Sequence, residues 1–298
     1  MERAYDDYNL VKTDEEQLVK TYINNVQSYI CNLLYHIIKE VGSKEEKETN
    51  HRNIEKALEH SMNACTTLSG TPYETKYARD HRNYGVNIES ALSLGNTNDV
   101  EWFEEMLKAL NQYKKALKFD KNDINTLTSI ASCILKIYDR IIRITEDEED
   151  EEKTINKLKD LQNIDLLQVI GDFTTQNPQF KGEITIDMMN MAYNSAVKAQ
   201  IIKPYEIASH YHLIHIYLYK IMMSKNDSDK KIFIDKVNSE IITCESLYNI
   251  STIDFSYAFL FKARNFCFSI NDEQRGKYYY DLIKSKRNKE KNDDITSN

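Results

Sequence analysis

The sequence predicts an all-α protein, and three observations carry that expectation. Turn formers are scarce: 298 residues include 7 Gly and 3 Pro, where average usage would give roughly 20 and 15. Tight hairpins and Gly-rich phosphate loops therefore have little to be built from. Apolar residues recur at three- and four-residue spacing along most of the chain, which is the period of one helix face. Capping residues punctuate these runs. The expected architecture is an antiparallel, layered bundle of about nine to eleven helices joined by short connections.

Taken in order, Thr13 and Glu16 have the spacing of a capping box. From there Val19, Tyr22, Ile23, Val26, Tyr29, Ile30, Leu33, Leu34, Ile37, Ile38 and Val41 keep helical spacing up to Gly42, a C-terminal stop. A second helix is expected over 46–68, ending near Gly70 and Pro72, and a third over 73–94. Asn98 with Glu101 opens a fourth, carrying Trp102, Phe103, Met106, Leu107, Leu110 and Leu117. Asn122 opens the next, through Ile142. The acidic run 146–152 reads as a solvated loop before a helix over 151–175. Helices over 183–200, 203–224, 228–248 and 252–270 follow. Residues 271–298 are expected as an extension, a short helix and then a disordered tail.

Charge and composition exclude several functions. The formal net charge of −8 repels a phosphate backbone, so no nucleic-acid partner is expected. No apolar run approaches the ~20 residues of a membrane span, and MERAYDDYNL carries no apolar signal segment. The five cysteines at 31, 65, 133, 244 and 267 are far apart and odd in number, as buried thiols of a cytoplasmic protein would be. No Walker loop, GxGxxG, GxSxG, HExxH or CxxC occurs. Neither a cofactor nor a catalytic residue set is expected.

Residues 203–224, KPYEIASHYHLIHIYLYKIMMS, form the segment around which the chain is organised. Pro204 suits a first helical position. One stripe, Ile207, Tyr211, Ile214, Leu218 and Ile221, reads as core-facing. A second, Ser209, Leu213, Ile216 and Lys220, lies on the other side, and a helix apolar on two sides is either fully buried or lines a groove. His210, His212 and His215 read as ordinary polar helix positions, because no carboxylate or cysteine sits at metal-ligand spacing beside them.

Three C-terminal segments together resemble the 14-3-3 family. Asp254–Ser269, DFSYAFLFKARNFCFS, aligns without a gap on that family's last-helix pattern DSTLIMQLLRDNLTLW, with Asp254 and Asn265 identical. PYEIASHYHLIHIYLYKI resembles HPIRLGLALNFSVFYYEI, and DLLQVIGDFTT resembles DYYRYLAEVAT. IASCILKIYDRIIR and AYNSAV resemble ICNDVLSLLEKFLI and AYQEAF, so the likeness covers about 100–270.

The resemblance implies a single domain over 1–270, cupped around a peptide groove. It implies groove residues Tyr257, Ala258, Phe261, Asn265 and Phe268 on the last helix, and Ser209, Leu213, Ile216 and Lys220 on the helix over 203–224. It also implies homodimers. The family's phosphate-binding Arg–Tyr pair falls on Gln168 and Val169, so the phosphoserine or phosphothreonine site is degenerate. The functional expectation is a non-enzymatic signalling adaptor that binds peptide segments of other proteins, phosphorylated or not. The alternative is a structural helical-repeat scaffold, tetratricopeptide-like and without a groove, although the ~34-residue recurrence of such repeats is not visible.

Overall fold

The computed structural model describes residues 2–68, 78–94, 97–145, 165–251, 257–270 and 272–296. Among them every regular element is helical: α1 (Glu2–Val41), α2 (Lys44–Thr49), α3 (His51–Leu68), α4 (Ala78–Leu92), α5 (Asp99–Phe119), α6 (Ile124–Thr145), α7 (Leu166–Gln176), α8 (Ile186–Ile202), α9 (Ile207–Met223), α10 (Asp227–Ser251), α11 (Tyr257–Ser269) and α12 (Glu273–Thr296), with a 3₁₀ turn at Pro178–Phe180. The predicted all-α class is the observed one. No helix among the described residues is long and apolar enough to cross a membrane.

Helix starts follow local chemistry. Asn98 accepts a hydrogen bond from the Glu101 N–H at 3.0 Å and caps α5. Asp165 accepts from the N–H groups of Leu167 and Gln168 to cap α7; the part of the expected helix over 151–164, with the acidic run before it, lies outside the described residues. A capping box does occur early in the chain, but at Ser43 and Glu46. The helix of α1 runs straight through Thr13 from Glu2, since no Gly or Pro precedes Gly42 to stop it. The expected helix over 46–68 is broken at Asn50, whose side chain donates instead to the Tyr35 carbonyl at 2.7 Å.

Contacts divide the chain into two compact units, Met1–Cys133 and Ile134–Asn298, where the sequence reading has one domain over 1–270. In the first unit α1 packs on α3, α3 on α4 and α4 on α5. The apolar centre includes Ile54, Phe103, Met106, Leu110, Tyr113 and Leu127, each at most 1% exposed. Against α1 the packing is mixed: Tyr35 packs with Ile54 and Ala57 of α3, and polar contacts stand beside it. Asn87 of α4 donates to Ser28 Oγ at 2.8 Å, to Ser61 Oγ and to the Ala57 carbonyl, and accepts from Asn32 at 2.6 Å. Asn25 donates to Asp80. Thr21 and Ser28 are buried, while Val19, Tyr22, Ile23, Val26, Tyr29, Ile30, Leu33, Leu34 and Ile37 are exposed. The amphipathic helix read from sequence is present, with its apolar face outward.

In the second unit α9 packs against α8, α10, α7 and α11. Tyr138 of α6 donates to the Thr185 carbonyl ahead of α8 at 2.7 Å. The expected disordered tail is helical as far as Thr296. α12 docks on α11, burying Tyr279 and Ile283, and Tyr279 donates to Glu245 of α10.

Close helix approach makes one glycine a sensitive position. A Cβ at Gly85 of α4 would lie 2.5–2.8 Å from ring atoms of Tyr113 on α5, and Tyr113 is itself held by a 2.6 Å bond to Glu89. Gly85→Ala is expected to cost about 1–3 kcal/mol through overpacking. Gly171→Ala on α7, where an added Cβ meets nothing within 4 Å, should stabilise by up to about 1 kcal/mol. Urea denaturation of the two variants checks the opposite signs.

Candidate functional site

The segment over 203–224 becomes α9 with a preceding turn. Pro204 sits in that turn and Glu206 is the N-cap, so the helix starts three residues beyond the proline. Ser209 Oγ donates back to the Glu206 carbonyl at 2.7 Å, and is spent on the helix start.

Of the two stripes, the one expected to face a groove is the more deeply buried. Ser209, Leu213 and Ile216 are each 0% exposed, whereas Ile207, Tyr211 and Leu218 of the expected core stripe keep partial exposure. Four neighbouring helices surround α9, so both stripes meet protein. Lys220 alone of the second stripe reaches the surface. Its ammonium lies 3.9 Å from the Tyr193 ring centroid and 5.7 Å from that of Phe233.

The α9–α10 hairpin brings Lys236 beside it, 5.4 Å from the Tyr217 ring and 5.8 Å from Phe233, and Tyr217 stacks on Phe233 at 6.1 Å. Burial and the Lys236 charge both lower the Lys220 pKa. Neither ammonium forms an ion pair among the described residues, and Glu240, one turn on from Lys236, is taken by His210.

On α11, Asn265 Oδ1 accepts from Arg264 Nε and Nη2 at 3.0 and 2.9 Å, so its carbonyl end is already engaged. Phe268 is 5% exposed and lies against Gly276 of α12, where a Cβ would come within 2.8 Å of its ring. It is packed interior instead of a groove wall. Tyr257, Ala258 and Phe261 lie on α11, with side chains outside the described set. Gln168 and Val169 stand on the first turn of α7, a helix without a single cation.

The three histidines are buried. His215 Nε2 is 3.0 Å from Asp139 Oδ1, which also accepts from the Tyr219 hydroxyl at 2.5 Å. His210 Nδ1 lies 2.6 Å from Glu240 Oε2, and its Nε2 lies 2.8 Å from the Pro204 carbonyl. Gln200 Nε2 also lies 3.0 Å from Nδ1, and donating to both Glu240 and Pro204 would take the imidazolium form. Burial works to lower the His210 pKa, but the bonds to Glu240 and Pro204 and the Glu240 charge raise it. His212 is the reverse: Nδ1 has no hydrogen-bond partner, and burial, then His215 and Lys136, push its pKa down to about 3.

Among the described residues no group of three or more His, Cys, Asp or Glu is placed to hold a metal ion. All five cysteines are thiols, and burial pushes those of Cys65, Cys244 and Cys267 up to about 12, leaving them protonated and unreactive.

Sequence reasoning reached Lys220 and missed Lys236, Tyr193, Phe233 and Arg264. Lys236 lies 16 residues from Lys220 on another helix, and nothing in helical periodicity links the two. No protein-family model matches this chain, and no curated protein matches it.

The histidines give opposite pH dependences. His212 has a folded pKa below its unfolded value near 6.5. Its neutral packing is therefore fully favourable above pH 6.5 and loses about 1.4 kcal/mol per pH unit as pH falls toward about 3. The His210 pKa is raised, so its contribution is complete below 6.5 and is lost as pH rises through the folded pKa. His212→Leu should flatten the acid limb of stability against pH, and His210→Gln should flatten the alkaline side. Urea unfolding of both variants across pH 4.5 to 8.5, about four units, measures each slope.

Proposed function

We propose that this chain is a non-enzymatic interaction adaptor of the 14-3-3-like type, acting in the cytoplasm and holding segments of other proteins. The observation that carries this reading is the lysine pair on its aromatic platform. Lys220 lies over Tyr193 and Phe233 and Lys236 over Tyr217 and Phe233, without an ion-pair partner among the described residues. In a chain of net charge −8 this is a local anion-receptive surface with apolar footing, suited to an acidic or phosphorylated peptide segment lying across α8, α9 and α10. Ser209, Leu213 and Ile216 are interior at 0% exposed, and Phe268 is packed against α12, so the reading does not rest on them.

The lysine pair differs in kind from a guanidinium cluster. Two flexible ammoniums make charge-assisted bonds of about 1.5–3 kcal/mol each at best, lack a rigid bidentate fork, and are partly solvent-screened. Affinity near a millimolar is expected for a short phosphoserine peptide at low salt. The unphosphorylated form should bind about tenfold more weakly. Titrating one peptide in both forms, against the chain and against Lys220→Met with Lys236→Met, provides the test. Equal binding of the two forms would overturn the reading. So would micromolar, phosphate-dependent binding that survives both substitutions.

A further inference from the structure

The polar junction between α1 and α4 borders a cavity. Within the first unit, α1, α4 and the N-terminal end of α6 enclose about 270 Å³, with Tyr29, Asn32, Arg82, Asn83, Val86 and Asn125 in its lining. Asn87 forms part of the wall, but its amide is spent on Asn32, Ser28, Ser61 and Ala57. Other lining groups keep capacity. Asn32 gives its Nδ2 to Asn87 and retains its Oδ1. The Asn83 and Asn125 amides and the Tyr29 hydroxyl form no hydrogen bond among the described residues. Arg82 places Nη1 against the Asp123 carboxylate at 3.1 and 3.4 Å, and Thr126 donates to that carboxylate at 2.5 Å. Its Nε and Nη2 make no bond among the described residues.

We propose that this cavity binds a small sugar monophosphate. Size, polarity and charge each narrow the choice. Liquid water occupies about 30 Å³ per molecule, so at the tighter packing of bonded atoms the space suits roughly ten to fifteen non-hydrogen atoms. An apolar ligand of that size would strand three amides and a hydroxyl, which is costly. A polyol matches them, because amides and phenols donate and accept as sugar hydroxyls do. Tyr29, 64% exposed, adds an apolar ring with a polar tip, suited to the carbon edge of a sugar.

Charge selects the phosphate. Among the described residues no carboxylate lines the cavity, and Arg82 is the one ionised side chain of the lining. The Nε and Nη2 edge of a guanidinium offers two parallel N–H donors to a single phosphate group. Asp123 offsets part of the Arg82 charge, so a monoester fits better than a pyrophosphate, which needs further cations. The site shares no residue with the lysine pair of α9 and α10, so the two readings fail separately.

Isothermal titration of the full chain with ribose 5-phosphate, ribose and inorganic phosphate tests the assignment. Ribose 5-phosphate should bind at least tenfold more tightly than either ribose or phosphate. Arg82→Gln should lower that affinity at least tenfold. Should this variant unfold for want of its bond to Asp123, Asn83→Ala serves instead, since it removes no hydrogen bond among the described residues. It should weaken binding several-fold without moving the urea midpoint. Lys220→Met with Lys236→Met should leave binding unchanged. The proposal is overturned by an absence of saturable heat at about 5 mM ribose 5-phosphate, or by equal affinity for ribose or for phosphate alone. Selective binding that survives both Arg82→Gln and Asn83→Ala, or that is lost with the lysine pair, overturns it too.

Discussion

The position of α1 depends on a buried polar junction centred on one side chain. Asn87 of α4 touches α1 through Ser28 and Asn32, and α3 through Ser61 and the Ala57 carbonyl. Each such bond contributes about 0.5–1.5 kcal/mol net, while leaving one partner stranded costs more. The junction is thus held as strongly by the penalty for breaking it as by what it gains. It is also incompletely satisfied: Gln17 Oε1, Thr21 Oγ1, Asn25 Oδ1 and Asp80 Oδ2 are buried without partners, and burial pushes the Asp80 carboxyl up to about 6. Within its own unit, α1 is seated on α3 and α4 through this junction together with Tyr35, and much of its apolar stripe stays exposed.

The second unit solves the opposite problem. α9 is apolar nearly all round, and four helices pack against it. Its polar atoms are met inside, Asp139 receiving His215 and Tyr219 and Glu240 receiving His210. His212 remains neutral by burial alone. Near its C-terminal end the helix surfaces at Lys220, where the aromatic rings of α8, α9 and α10 carry two ammoniums. Rigid interior and adaptable surface occupy one helix because a long lysine stem can run along buried rings while its head stays in water.

Much of the fold was legible because helix formation is largely local. The cap at Asn98, the stop before Gly42 and the scarcity of Gly and Pro all act within a few residues; the cap at Asp165 was not read from the sequence. The candidate site was less so. Periodicity found two stripes on α9 but could not say which met protein on its far side, and the stripe read as a groove wall is the fully buried one. Pro204 had the chemistry of a helix start but stands in the turn before it. Arg264, which nothing in the sequence singled out, occupies the Asn265 carbonyl.

By itself, the sequence determined the all-α class, the helical register of each strongly periodic segment and the absence of a long apolar span. These follow from residue spacing and capping, which need no distant partner. Tertiary structure alone decided that α1 presents its apolar face outward, that Leu213 and Ile216 are interior, and that Lys220 acquires Lys236 as a neighbour. Each of those outcomes depends on which helix lies beside which. That is set by contacts between residues far apart in the chain, where a single buried asparagine can outweigh the pattern of a whole helix face.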